Sequence, residues 1–103
     1  MRTMDRSNVL TLLKTTYSQD AIGQQVPAIT RREVFCSIKS VSASEFYEAG
    51  RAGLNAELRA DMFFYDYEGE DEAEFEGRKY GIYRTYRPDM DTIELYLERK
   101  VGI

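Results

Sequence analysis

Seven carboxylates stand close together without a base among them: Asp66, Glu68, Glu70, Asp71, Glu72, Glu74 and Glu76. Paired carboxylates can divide acid and base roles when a rigid, partly dry site splits their pKa values. They can also hold a divalent cation. A helix–loop–helix calcium loop needs Gly at its sixth place and Glu at its twelfth, and the spacing from Asp66 does not supply them. The bland reading of 66–76 is a solvated, self-repelling loop. The chain has no histidine, which removes the commonest general base, the usual nucleophile triads and most transition-metal sites. Its single cysteine, Cys36, excludes a disulfide within the chain and reads as a small buried hydrophobe. That usage fits a reducing, intracellular origin. Gly77 and Gly81 do not make a phosphate-binding loop. No catalytic residue, cofactor or metal is expected, and the chain does not read as an enzyme.

A second group is aromatic and basic. Tyr80, Tyr83 and Tyr86 interleave with Arg84 and Arg87. Such a set can stack bases and hold phosphates. It also fits plain cross-strand packing. The acidic run directly upstream disfavours a nucleic-acid face. Tyr and Arg are both enriched at protein interfaces, so a partner-binding surface is the preferred reading. Outside 66–76 the chain holds 11 acids against 14 bases, although its net charge is −4.

The elements that must position these groups follow from hydrophobic period. At 103 residues the chain is one domain, 1–103, with a modest core. No run is long and apolar enough for a membrane helix, and the start lacks a secretory h-region. Residues 1–8 are expected as a flexible arm. Residues 9–17 are rich in β-formers and predict a first strand. Residues 18–30, with Asp20, Gly23 and Pro27, are expected as a long polar loop. Residues 31–41 alternate and predict a second strand. Ser42 and Glu45, three apart, predict a capping box opening a short helix over 43–51, with Phe46 and Ala49 on one face. Gly50 or Gly53 should end it. Residues 56–65 alternate for ten positions, the best strand signal in the chain. A second long loop is expected over 66–76, with a short strand end at 74–76. Two further alternating runs, 79–87 and 92–99, flank a Pro88–Asp89 turn and predict a hairpin. The fold expected is mainly β: a small antiparallel barrel or sandwich of about five or six strands, with one short helix between the second and third.

The order and spacing of these segments resemble a known family. The sequence runs from Asp20-Ala21-Ile22-Gly23, through Phe35-Cys36-Ser37-Ile38, to Ser42-Ala43-Ser44-Glu45-Phe46-Tyr47-Glu48-Ala49-Gly50. It continues with Leu58-Arg59-Ala60 and ends on Gly77-Arg78-Lys79-Tyr80-Gly81-Ile82-Tyr83-Arg84-Thr85-Tyr86. This resembles the head closure, or head–tail joining, proteins of long-tailed bacteriophages over 9–103. Phe35 stands where the family has a Trp, and the Arg-Tyr usual after the long strand is absent. The resemblance implies a virion protein assembled in the host cytoplasm. It implies a cyclic ring of about six or twelve copies, joining the portal and adaptor to the tail proteins. Such a ring retains packaged DNA, which passes through the channel without sequence-specific binding. On that basis Asp66, Glu68, Glu70, Asp71, Glu72, Glu74 and Glu76 are expected to face or gate the DNA channel. Asp20, Ile22 and Gly23 are expected to face a partner, beside Tyr80, Tyr83, Arg84, Tyr86 and Arg87. The alternative is a small β-rich module or regulator that binds one host protein.

Overall fold

The computed structural model describes residues 8–100. The expected arm over 1–8 lies outside the described residues except for Asn8. Six strands form: β1 (Asn8–Gln19), β2 (Gln25–Ser40), β3 (Ala56–Phe63), β4 (Glu72–Phe75), β5 (Arg78–Tyr86) and β6 (Thr92–Arg99). One helix, α1 (Ala43–Arg51), stands between β2 and β3. The sheet closes as an antiparallel barrel in the order β1-β2-β3-β6-β5-β4. Closure depends on a short, distant ladder in which Thr11, Leu12 and Leu13 meet Glu74, Ala73 and Glu72. The expected choice of barrel or sandwich thus resolves to a barrel of six strands.

Alternation fills the interior. Leu10 and Leu12, Val34 and Cys36, Ala60 and Met62, Ala73, Tyr80, and Ile93, Leu95 and Leu97 form one cluster. Each strand contributes every second residue, as a pleated half-buried surface requires. Tyr80 carries a phenol into this core; burial first, and then Glu57 beside it, raise its pKa. Cys36 is fully buried, and burial, followed by the Asp61 charge, pushes its thiol up to about 11. It is a core side chain in the neutral form.

The helix begins and ends as its sequence dictates. Ser42 Oγ accepts from the Glu45 N–H at 3.1 Å. The reciprocal half of the expected capping box is missing, because the Glu45 carboxylate is engaged elsewhere. At the other end, the Leu54 N–H reaches Ala49 O and the Gly53 N–H reaches Gly50 O. This is a Schellman closure, and Gly53 takes the left-handed place at φ 80°. Ala49 is buried, while Phe46 on the same face stays half open.

Two expected loops need correction. Residues 18–30 are not a loop: β1 and β2 run on through them, paired from Leu13↔Arg31 to Gln19↔Gln25. Asp20 and Gly23 confine the turn to a few residues. Asp20 Oδ1 accepts from Ile22 N and Gln24 N at 3.0 and 2.9 Å, and Gly23 adopts φ 84°. Pro27 survives inside the strand because of its place in the ladder. The Asp20 N–H bonds Gln24 O, so even positions of β1 exchange hydrogen bonds with β2. Pro27, opposite Tyr17, therefore points its nitrogen outward, where no ladder bond is lost. Residues 66–76 are also not one loop, since β4 lies within them and pairs on both sides.

Candidate functional site

The outer halves of β1 and β2 form a two-stranded ribbon that leaves the barrel. Beyond Leu13 on one side and Arg31 on the other, these strands pair only with each other among the described residues. Every residue from 14 to 31 is exposed. The molecule measures 53 × 32 × 24 Å with a radius of gyration of 15.2 Å. A compact domain of this length has about 13 Å, and the protruding ribbon accounts for the difference. Along 15–30 the only formal charge is Asp20. Tyr17 (64% exposed), Ile22 (78%) and Ile29 (59%) stand open to solvent, with Val26 beside them. An isolated two-stranded ribbon is marginal in water, so this one draws its stability from its root or from a partner.

The root is where the acidic segment acts. Arg32 reaches Glu70 at 2.7 Å, Glu68 at 3.2 Å and the Asp66 carbonyl at 2.6 Å. Arg31 pairs Glu74 at 3.0 Å, and Lys14 Nζ donates to the Glu68 carbonyl. Glu72 meets Lys100 at 3.5 Å. Glu70 is buried at 3% exposure, and its second oxygen accepts from the Glu68 N–H at 2.8 Å. Burial works to raise its pKa, but the Arg32 and backbone hydrogen bonds outweigh it and hold the carboxyl below its ordinary value. Tyr67 closes the loop with its hydroxyl on the Glu70 carbonyl at 2.8 Å. Four of the seven acids are therefore in ion pairs, and the reading of 66–76 as a solvated, self-repelling loop is wrong. The charges are opposed by bases from β2 and the chain after β6. Among the described residues no group of three or more metal-ligating side chains occurs.

The aromatic and basic group does not form one surface. Tyr80 is buried in the core, so it is neither a partner contact nor a base-stacking platform. Tyr83 donates its hydroxyl to Glu45 at 2.6 Å, and Arg84 forms a short ion pair with the same carboxylate. Neighbouring strand residues normally point to opposite faces. A bulge between Ile82 and Arg84 cancels that alternation, and both side chains reach α1. Arg84 also lies 3.9 Å over the Tyr96 ring. Burial works against the Glu45 charge, but the bonds from Arg84 and Tyr83 prevail and hold its carboxyl low. Arg87 stacks at 3.5 Å on Phe64 and donates to the Met90 carbonyl. Of the three tyrosines Tyr86 alone presents a half-open ring, and Arg84 and Arg87 are exposed beside it. Asp20, Ile22 and Gly23 sit together at the ribbon tip, beyond the barrel, while the C-terminal half of β5 runs towards the barrel end from which the ribbon rises.

Two further features were not read from sequence. Asp61, buried on β3, is held by Arg59 through two bonds of 2.9 Å and by Lys39 at 3.6 Å. A groove of about 650 Å³ at one barrel end is lined by Asn8, Glu57, Glu76, Arg78 and Tyr80 among others. The sequence signal for Asp61 is its place two residues after Arg59 on one face of an alternating strand. No protein-family model matches the chain, and no curated protein is significantly similar to it in sequence.

Proposed function

We propose that the chain is a structural subunit of a tailed-phage head–tail connector, a head-closure component of the virion assembled in the host cytoplasm. It joins the portal and adaptor to the tail and retains packaged DNA. The observation that carries this reading is the ribbon: charge-poor, with Tyr17, Ile22 and Ile29 exposed, braced at its root, and, among the described residues, open along both edges. A domain with a filled core and a protruding, incompletely paired sheet is suited to be completed by neighbours. The barrel with one helix between β2 and β3 is the architecture that the head-closure resemblance implies. Heterologous contacts repeated by rotation close into a ring, and a ring is what a connector requires.

In this reading the acidic segment has two uses. Glu68, Glu70 and Glu74 brace the ribbon. The remaining charge of 66–76 adds negative potential to that side of the barrel, which keeps DNA phosphates from adhering to a channel wall. The same exposed ribbon also suits a small module that binds one host protein. Electron microscopy of a lysate from phage carrying a nonsense codon in this gene separates the two. DNA-filled or leaking heads beside free, complete tails are expected. Normal virions overturn the connector reading and favour the host-binding module.

A further inference from the structure

We propose that the ribbon pairs edge to edge with the ribbon of a second copy, the β1 edge of one against the β2 edge of the next. The inference rests on the ring reading and names the partner of its exposed element. The ladder itself supplies the argument. Because even positions of β1 bond to β2, the backbone groups of Thr15, Tyr17 and Gln19 point away from the ribbon on one side. Those of Gln25, Pro27 and Ile29 point away on the other. The two edges are equally long, stand at the same height above the barrel and run in opposite directions. Copies set side by side in one orientation, as in a ring, bring β1 against β2 in antiparallel sense without inverting either molecule.

Charge and protection point the same way. Exposed edges are ordinarily blunted by charges, prolines or bulges. Where β2 leaves the ribbon, Arg31 and Glu33 serve that purpose. Along the ribbon only Pro27 does, and it removes one donor from one edge. Joining β1 to β2 places one such gap in each ladder. Joining β2 to β2 would place two, and joining β1 to β1 would leave both β2 edges open. A ribbon whose only charge is at its tip, Asp20, is met without burying an unpaired charge by a strand of the same composition.

The test uses the purified full-length chain alone. Thr15→Cys and Ile29→Cys variants, which stand at one height on the two edges, are oxidised mildly, separately and mixed, at high protein concentration. Buried Cys36 stays unreactive. Cross-linked dimers are expected in the mixture and not in either variant alone. A Thr15→Pro variant, which removes an outward donor and no internal ladder bond, should self-associate at least about tenfold more weakly. Its melting temperature should match the wild type, and Thr15→Lys should behave alike. Cross-links within a single variant, no cross-links in the mixture, or undiminished association of both edge variants overturns the proposal. These outcomes are independent of phage assembly. Mixed cross-links with normal virions from the nonsense phage would leave the pairing standing and the connector reading refuted. Leaking heads without cross-links would do the reverse.

Discussion

Arg32 and Glu70 carry more of this molecule than their place in the sequence suggests. The carboxylate is removed from water and its charge is met by one guanidinium at 2.7 Å. Removing the cation leaves a buried charge with backbone donors alone. Arg32→Ala should therefore cost about 2–3 kcal/mol, read as a drop in the urea midpoint with unchanged slope. Glu45 gives a pH dependence. Its carboxyl, like that of Glu70, is held below its ordinary value of 4.5 in the folded chain. Such a group contributes stability that is fully present above the unfolded pKa and is lost as pH falls through the folded one. Melting temperature should be flat near neutrality and fall below about pH 5. In Glu45→Gln that fall should be shallower, since one of the two carboxyls no longer titrates. A steeper fall in the variant would contradict the assignment. Neither ion pair could be read from sequence. Arg32 lies 38 residues from Glu70, and Arg84 lies 39 from Glu45. Only the folded barrel brings those partners together.

At the scale of elements, local chemistry was legible wherever it acted over a few residues. The strand expected over 56–65, which in fact stops at Phe63 where Phe64–Asp66 form a 3-10 turn, the helix over 43–51 with its Ser42 cap, and the hairpin about Pro88–Asp89 follow from period and turn residues. Asp89 makes that last turn by accepting from Asp91 N and Thr92 N. Two elements were hidden by local signals that tertiary pairing overrides. Asp20, Gly23 and Pro27 punctuate a ribbon whose threonines, Val26 and Ile29 are sound β-formers. Glutamates of poor strand propensity are held in β4, where Arg31 on β2 and Lys100 after β6 meet the charges of Glu74 and Glu72. The β4–β5 turn offers a direct check. Phe75 pairs Arg78, and the two residues between, Glu76 and Gly77, have φ of 50° and 77°. A two-residue turn of this hand favours Asn-Gly. Glu76→Asn should stabilise the chain by about 0.5–1 kcal/mol, seen as a higher melting temperature. A loss of stability would mean that the Glu76 side chain holds the turn by other contacts.

At the scale of the molecule, the barrel holds the core and the ribbon extends from it. The fold class was legible because each strand alternates. Closure was less so, because it rests on the three-residue register between β1 and β4. The site was half legible. Asp20 and Gly23 read as turn formers and stand, with Ile22, exposed at the ribbon tip. Tyr80 was marked for partner contact and is core, since alternation on β5 does not say which face is inside and the bulge at Tyr83 shifts it midway. The division of labour yields a prediction for the ribbon itself. Replacing 15–29 with a two-residue Asn-Gly turn should leave the barrel folded, because the core cluster contains nothing from that stretch. Circular dichroism should show a cooperative melt for the shortened chain, and a chain that no longer melts cooperatively would refute the division.

The central claim is that this chain joins head to tail through that ribbon. The most direct measurement is complementation of the nonsense phage with the ribbon-shortened chain, scored by electron microscopy and plaque count. The account predicts heads that leak DNA beside unattached tails, although the shortened barrel is folded and abundant. Infectious virions at the wild-type yield would contradict it.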